Sequence, residues 1–246
     1  MTMFAVISDL HFDSHRPKIA AKVIGQLVDM LEDDIIDWII FAGDLSTGGL
    51  CYDAKRLDYW RMLMEPIADR VIFVPGNHDY FGGTFEVFWN NIHKMNFAHA
   101  LNNETIEVDG LIIYGGTLWF EKPIVDMAEW CDYEWIMGDC KRQIYRASAE
   151  FKCNMPKRVD IVISHHLPSP RSIHPRYFGE RTNCFFFNDC EELIRTVKPQ
   201  WWVHGHTHDK LYYQFNKHTK IICNPFGYPS NDTGRYQIEV IEVNNV

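Results

Sequence analysis

The chain has 246 residues, of which 46% are hydrophobic and 23% are charged, and its formal net charge is −9. This composition is ordinary for a globular protein and excludes disordered and fibrous classes, and we expect a single domain over residues 1–246. The acidic excess opposes the phosphate neutralisation that supplies most nonspecific affinity for nucleic acids, so nucleic acid is not the expected partner.

The N-terminus and the cysteines both indicate a reducing compartment. The apolar N-terminal run ends at Ile7 and is too short for a signal peptide, and no apolar run is long enough to cross a membrane. The seven cysteines are an odd number and include no C-x-x-C pair, which favours free thiols over disulfides or a zinc ribbon. We therefore expect a cytoplasmic protein with no membrane contact.

The first third of the chain alternates short apolar runs with helical patterns. Strands are predicted at Phe4–Ile7, Trp38–Ala42 and Val71–Val74. Between them, a helix is predicted after Pro17 and a second one from about Asp53 to Ala68. The predicted order is therefore β-α-β-α-β.

The rest of the chain adds antiparallel strands and more helices. Two apolar runs flank Asp109-Gly110, which is a signal for a type I′ hairpin. Residues 119–153 are charged and aromatic, and are expected to be helical with loops. Further elements are predicted at Val159–Ser164, Trp201–Val203, Leu211–Phe215, Ile221–Cys223 and Tyr236–Val243 (strands) and near Asp189–Val197 (helix). The sum predicts an α/β fold with two packed sheets and helices outside them.

Residue types that bind metals follow five of the predicted strands. The segments are Ser8-Asp9-Leu10-His11, Gly43-Asp44, Gly76-Asn77-His78-Asp79, Ser164-His165-His166 and His204-Gly205-His206-Thr207-His208. Strand ends in α/β sheets are where ligand sites collect, because side chains there are held by rigid backbone and face a crevice. Mixed carboxylate, imidazole and amide ligands suit divalent ions such as Mn²⁺, Fe²⁺, Zn²⁺ or Ni²⁺.

The number of candidate ligands exceeds what one ion needs. Two neighbouring ions are therefore expected, and a pair of ions about 3.5 Å apart is a device for hydrolysing phosphate esters. On extended backbone, the Asp-x-His and His-x-His pairs each place two side chains on one side of the chain, about 6 to 7 Å apart. Such a pair can bind one ion or two neighbouring ions.

The five segments, in this order, resemble the metallophosphoesterase (calcineurin-like phosphoesterase) superfamily, whose pattern D-x-H, G-D, G-N-H-(D/E), H, G-H-x-H is complete between residues 9 and 208. The resemblance implies a two-sheet β-sandwich flanked by helices, in four αββα layers. It also implies two divalent ions, with Mn²⁺ expected and Fe, Zn, Ni or Mg as alternatives. The implied ligands are Asp9, His11 and His206 for the first ion, Asn77, His165 and His204 for the second, and Asp44 as the bridge between them.

The flanking residues separate this chain from one branch of that superfamily. Ser/Thr protein phosphatases usually read G-D-x-H-G and G-D-x-V-D-R-G, whereas Phe12 follows His11 here and Leu45-Ser46-Thr47 follows Asp44. The arginine that binds substrate phosphate in that branch is missing. The chain looks closer to small bacterial and phage-type members, which resemble class III cyclic nucleotide phosphodiesterases in their S-D-L-H and G-N-H-D segments.

Three histidines near the implied ligands have other expected roles. His78, beside Asn77, is expected to protonate the leaving oxygen or to stabilise the transferring phosphoryl group. His166 is expected on the substrate side of the site or just behind the ligands. His208 lies one step beyond the His204/His206 pair, and we expect it on the surface.

Arg171, Arg176 and Arg181 lie in one loop after His165, in an otherwise acidic chain. Guanidinium groups suit phosphate oxygens, so we expect this loop to bind an anionic substrate, with a solvated surface loop as the alternative. A set of aromatic residues could stack on a nucleobase, but core packing is the favoured interpretation. These residues are Trp119, Phe120, Trp130, Tyr133 and Trp135.

Three functions follow from this pattern. The favoured one is a dinuclear phosphoesterase that hydrolyses a small phosphomonoester or phosphodiester by attack of a metal-bridging hydroxide. A metal-dependent nuclease acting on short single-stranded nucleic acid is the alternative, and the net charge of −9 opposes it. A noncatalytic binding scaffold is the third, and it is disfavoured because an intact set of buried carboxylates and imidazoles is costly without metal.

Overall fold

Two mixed sheets form the centre of the computed structural model, which describes residues 1–48, 54–124, 129–230 and 236–245. The strands, in chain order, are β1 (Thr2–Ile7), β2 (Trp38–Ala42), β3 (Val71–Val74), β4 (His99–Ala100), β5 (Glu104–Val108), β6 (Leu111–Gly115), β7 (Ile161–Ile163), β8 (Trp201–His204), β9 (Leu211–Gln214), β10 (Lys220–Cys223) and β11 (Glu239–Val243). The sheet orders are β11-β1-β2-β3-β4 and β5-β6-β7-β8-β10-β9.

The first sheet carries the predicted β-α-β-α-β unit. Strands β1, β2 and β3 are parallel neighbours, with Phe4 opposite Trp38 and Ile39 opposite Val71. The near-continuous apolar runs of these strands suit a sheet that is covered on both faces. Their carboxyl ends therefore lie at one edge of the sheet.

The second sheet begins with the predicted hairpin. Strands β5 and β6 are antiparallel, and the turn residues Asp109 and Gly110 both have positive φ, 50° and 76°, as a type I′ turn requires. Strands β6, β7, β8 and β10 are then parallel to their neighbours, and β9 closes the sheet antiparallel to β10. The carboxyl ends of β7 and β8 thus also meet at one edge.

Alternation along the strands divides the core into layers. Val6, Ile40, Ile163 and Val203 belong to one apolar cluster shared by both sheets. Residues on the opposite faces join two other clusters, which contain helices: Phe41 packs with Leu27 on the first sheet, and Trp202 packs with Ile194 on the second. This confirms the expected fold, a two-sheet sandwich flanked by helices.

The helices agree only in part with the sequence predictions. They are α1 (Pro17–Glu32), α2 (Ala54–Met64), α3 (Phe85–Ile92), α4 (Cys131–Trp135), α5 (Cys140–Asn154) and α6 (Glu191–Val197). The helix predicted to reach Ala68 gives way to a 3₁₀ turn over Glu65–Arg70, because Pro66 lacks the N–H that would continue it. The predicted start of that helix, Asp53, lies outside the described residues.

Helix α3 and the two-residue strand β4 were not predicted. Helix α3 has a clear cap, since the Thr84 hydroxyl accepts a hydrogen bond from the backbone N–H of Val87. Across the described ranges, none of the helices has both the length and the apolar character needed to cross a membrane.

Candidate metal centre

The five segments meet where the carboxyl edges of the two sheets face each other. Asp9, Asp44 and Asn77 follow the neighbouring parallel strands β1, β2 and β3, while His165 and His206 follow β7 and β8. Ligand-bearing residues far apart in the chain are thereby brought together by strand pairing alone.

A first group of side chains has ligand atoms that all lie within 4.8 Å of one another: Asp9, His11, Asp44 and His208. The Nε2 atom of His208 lies 3.3 Å from Asp9 Oδ1 and 3.1 Å from His11 Nε2. His11 Nε2 is in turn 3.6 Å from Asp44 Oδ2. The atoms converge on one point, as ligands of a single ion do.

A second group contains Asp44, His165 and His206. His165 Nε2 lies 3.3 Å from Asp44 Oδ2, 3.2 Å from His206 Nδ1 and 3.2 Å from Asn77 Oδ1. The Asn77 amide oxygen therefore faces this second group. Asp44 belongs to both groups, which is the place expected of a bridging ligand.

His204 is placed outside both groups. It is the last residue of β8, and alternation points its side chain to the same face as Trp202, toward the outer core. There its two ring nitrogens lie 2.9 Å from the Gly205 carbonyl oxygen and 3.1 Å from Ser172 Oγ. Both nitrogens are thus engaged away from the ligand groups.

His208 enters the first group instead of lying on the surface as expected. The turn after β8 explains its position, because His206 and His208 both have left-handed backbone, with φ of 71° and 52°. The sequence holds a signal for this arrangement. If the G-H-x-H pattern starts at Gly205, its histidines are His206 and His208.

Three glycines beside the ligands let the two sheets approach this closely. A Cβ atom on Gly43 would lie 2.3 Å from His165 Nδ1, and one on Gly76 would lie 2.1 Å from Asp44 Oδ1. At Gly205, a Cβ atom would lie 2.7 Å from the Ala42 carbonyl oxygen. Any side chain at these positions would displace a ligand or the backbone that holds it.

The two carboxylates are buried and charged. Asp9 and Asp44 are 0% and 1% exposed, and within the described ranges their ion-pair partners are histidines. Burial alone would raise their pKa values, but the facing imidazoles outweigh it and the pKa of each carboxyl is lowered. Two buried anions with no lysine or arginine partner in the described ranges suit divalent cations.

The imidazoles of the site differ in the direction in which their pKa is shifted. Burial lowers the pKa of His11 to about 3 and that of His206 well below its usual value, so both rings stay neutral and keep a lone pair for a metal. Burial also opposes protonation of His165, but the Asp44 carboxylate outweighs it and raises its pKa to about 9. The Nδ1 atom of His206 is the one that faces the second group, 3.2 Å from His165 Nε2. Neutral imidazoles beside two buried carboxylates are a donor set that suits a divalent ion, so these residues fit a metal.

A family model for calcineurin-like phosphoesterases matches residues 2–210, and this match covers most of the chain. The chain belongs to this family. It is accordingly a metal-dependent phosphoester hydrolase, and the family together with the clustered aspartates and histidines indicates a dinuclear site for divalent ions.

Individual proteins that resemble this phosphoesterase are distant in sequence. An uncharacterized protein of Acanthamoeba polyphaga mimivirus is 24% identical, over 93% of this chain and 92% of its own length. The structure of phosphopantetheinyl hydrolase from Mycobacterium tuberculosis superposes with a TM-score of 0.65 at 14% identity, covering 97% and 95% of the two chains. A dimetal phosphatase from Danio rerio gives a TM-score of 0.55 at 10% identity, covering 97% and 91%. These structures share the fold of this phosphoesterase.

Asp132 was not singled out from the sequence, yet it contacts a ligand. Its carboxylate is 0% exposed and accepts hydrogen bonds of 2.8 Å from Asn77 Nδ2 and 2.8 Å from Trp130 Nε1. Burial raises the pKa of this carboxyl. By holding the amide nitrogen of Asn77, Asp132 turns the amide oxygen toward His165.

His78 lines the cleft in front of the two groups, a space of about 400 Å³ that Asn77, Arg176 and Tyr228 also line. Its backbone N–H donates a 3.0 Å hydrogen bond to Asp44 Oδ1, which fixes the residue beside the carboxylate shared by both groups. Tyr228 stacks on His11 with ring centroids 4.2 Å apart and closes the other side of the cleft.

His166 lies behind His206, one of the positions expected for it, and does not line the cleft as a substrate-side residue would. Its ring is 0% exposed, packs 4.3 Å from the His206 ring, and has Nδ1 3.3 Å from the Thr117 carbonyl oxygen. Burial lowers its pKa to about 3. A neutral buried ring behind His206 supports the ligand and has no contact with the cleft.

The three loop arginines take three different positions. Arg176 lines the cleft and pairs with Asp209 at 2.7 Å. Arg171 instead packs over the rings of Tyr213 and Phe215, and Arg181 is exposed and lines neither the cleft nor its neighbouring cavity. The structure thus brings one of the three to the site.

The aromatic residues of the middle segment are mainly packing residues. Trp119 and Phe120 are 1% and 0% exposed, in agreement with core packing. Tyr133 packs against the same core, and Trp135 is exposed on the surface. Trp130 lines the cleft and stacks on Phe185 with ring centroids 4.2 Å apart.

Proposed function

We propose that the chain hydrolyses a small phosphomonoester or phosphodiester at a two-ion centre. The observation that carries this proposal is the position of Asp44, whose carboxylate belongs to both ligand groups. The proposed ligand set differs from the sequence expectation in one residue, with His208 in place of His204. It comprises Asp9, His11, Asp44 and His208 for one ion, and Asp44, Asn77, His165 and His206 for the other.

Divalent ions held by these residues, for which we propose Mn²⁺, would lower the pKa of a bound water and neutralise charge on the phosphate oxygens. His78 faces the cleft beside Asp44 and is placed to give a proton to the leaving oxygen. Arg176 donates from Nη2 to both carboxylate oxygens of Asp209, and we assign its remaining guanidinium N–H groups to a phosphate oxygen.

The surroundings of the cleft support a small substrate over a nucleic acid. The cleft is about 400 Å³, and among the described residues Arg176 is the one lysine or arginine that lines it. Arg171 and Arg181, which could have tracked a phosphate backbone, lie elsewhere. The acidic net charge of −9 adds to this preference.

The test is a substrate panel on metal-free protein with Mn²⁺, Ni²⁺, Zn²⁺ or Mg²⁺ added back. The panel contains chromogenic phosphomonoesters and phosphodiesters, cyclic and linear nucleotides, and a short single-stranded oligonucleotide. We expect metal-dependent hydrolysis of small esters, with Mn²⁺ the best activator. Cleavage of the oligonucleotide at a much higher kcat/KM than any small ester would support the nuclease, and no turnover with any ion would contradict the proposal.

A further inference from the structure

A second cavity adjoins the metal cleft. Its volume is about 170 Å³, and its wall includes Leu167, Ile173, Tyr177, Thr182, Phe186 and Thr207. Tyr177, Phe186 and Thr207 also line the cleft, so the two spaces share one wall. The ring of Phe186 lies 4.7 Å from the ring of His206. A group that is attached to a phosphate in the cleft is therefore next to this cavity.

The lining indicates what the cavity can bind. Leu167 and Ile173, which are 1% and 9% exposed, line it together with the aromatic side chains of Tyr177 and Phe186. Within the described ranges, no lysine, arginine, aspartate or glutamate lines it, and its polar lining consists of His174, Thr182, Asn183 and Thr207. An engineered apolar cavity of about 150 Å³ is known to take up benzene, so this volume suits a single ring. The fitting occupant is an uncharged group about the size of one ring.

The wall of the cavity is braced before any ligand arrives. Two 3₁₀ turns, Pro175–Tyr177 and Arg181–Phe185, are tied together by a 2.7 Å hydrogen bond from Asn183 Nδ2 to the Tyr177 carbonyl oxygen. The guanidinium of Arg176 lies 4.6 Å from the Tyr177 ring centre while it pairs with Asp209. A preformed wall lowers the entropic cost of binding.

We propose that this cavity binds the organic group of the substrate, so that the preferred substrates are phosphoesters of alcohols that carry an uncharged ring. This inference rests on the proposed function, since the phosphate must occupy the cleft. The ring would pack among the side chains of Leu167, Ile173, Tyr177 and Phe186. Arg176 then serves both spaces, because it braces Tyr177 and faces the phosphate.

The first experiment compares 2-phenylethyl phosphate with ethyl phosphate, and the methyl diesters of both, on Mn²⁺-loaded protein. The two leaving alcohols differ little in acidity, so a difference in kcat/KM measures the contribution of the ring to binding. We expect the phenylethyl ester to have a kcat/KM about 10- to 100-fold higher, the scale of burying one apolar ring. Equal values would overturn the proposal.

A variant in which the cavity is filled tests whether the ring of the substrate binds there. Thr182→Trp fills the cavity from its rim, and Thr105→Trp on the exposed edge strand β5 is the matched control. In Thr182→Trp the ratio of the two kcat/KM values should fall to near 1, while in Thr105→Trp it should equal that of the wild type. A preserved ratio in Thr182→Trp would place the ring elsewhere and contradict the proposal.

A binding measurement on the unmodified protein depends neither on the folding of a variant nor on turnover. Calorimetry should give 2-phenylethylphosphonate a Kd about 10- to 100-fold lower than ethylphosphonate, for the same reason. If the phosphonates differ but no ester is hydrolysed, the cavity assignment stands and the proposed hydrolysis fails. If the esters are hydrolysed with equal kcat/KM and the phosphonates bind equally, the hydrolysis stands and the cavity assignment fails.

Discussion

The strand ends that carry the ligands and the loop over residues 167–186 border the same cleft but are built differently. At the strand ends, side chains such as Asp44 and His165 are almost fully buried. Glycines there leave room for them, since a Cβ atom on Gly76 would lie 2.1 Å from Asp44 Oδ1. The loop consists of successive 3₁₀ turns whose side chains are exposed over residues 174–181, and its three arginines take three different positions. The positions of the side chains at the strand ends are therefore determined by the backbone, whereas in the loop they are determined by individual side-chain contacts.

The largest effect is expected at the residue shared by both ligand groups. Asp44→Asn removes the charge that faces His11 and His165, and should lower turnover by several orders of magnitude, on the order of 10³-fold or more. Metal content and turnover of purified protein are the measurements, and Asp58→Asn on the surface of α2 is the control. More than about a tenth of wild-type turnover with both ions bound would exclude the two-ion mechanism.

A smaller loss is expected at His78, which borders the cleft without joining either ligand group. His78→Ala should keep normal metal content while turnover falls about 10²- to 10⁴-fold, the usual contribution of a general acid. The loss should shrink for p-nitrophenyl esters, whose leaving group needs no proton. The exposed His93 provides the control variant His93→Ala, and an equal loss on p-nitrophenyl and alkyl esters would argue for charge stabilisation instead of proton transfer.

Replacing Asp132 tests whether the ligand residues at the strand ends depend on hydrogen bonds from residues outside the motifs. Asp132→Asn replaces one of the two accepting oxygens with an amide donor, so it cannot accept from both Asn77 Nδ2 and Trp130 Nε1. The affinity for one of the two ions should therefore fall about 10- to 100-fold, as is common when the support of a metal ligand is disturbed. Titration of metal-free protein with Mn²⁺ measures both binding steps, with the exposed Asp139→Asn as control. Unchanged affinity for both ions would show that Asn77 is held without Asp132.

The smallest effect is expected in the loop, and it should single out one arginine. Arg176→Ala should raise KM for a multiply charged substrate about 10-fold, the scale of one charge-assisted contact, and should hardly change that of a minimal aryl phosphate. Arg171→Ala and Arg181→Ala are the matched variants, and they should leave both KM values unchanged. If the three variants behave alike, the placement of Arg176 at the cleft has no functional meaning.

The sequence predicted what the backbone determines. The strands before Asp9, Asp44 and Asn77, the hairpin at Asp109-Gly110 and the two-sheet layering all follow from local patterns, and the structure agrees with them. The residue types at the strand ends were enough to expect a metal site, because parallel strands bring their carboxyl ends to one edge.

What the sequence could not decide depends on where a strand ends and on contacts across the fold. Two pairs, His204/His206 and His206/His208, have the same spacing, and only the end of β8 at His204 shows which pair turns into the site. Asp132 approaches Asn77 from 55 positions away, with no motif around it. The burial of His166 likewise follows from packing against Trp119, which no local pattern reveals.

Metal stoichiometry tests the central claim most directly. Metal-free wild-type protein, His204→Ala and His208→Ala are titrated with Mn²⁺, and bound ions per chain are counted. Because His208 faces Asp9 and His11 while His204 is bonded to Ser172, we predict two ions for the wild type, two for His204→Ala and one tightly bound ion for His208→Ala. A single ion in the wild type, or loss of an ion in His204→Ala with both retained in His208→Ala, would contradict this account.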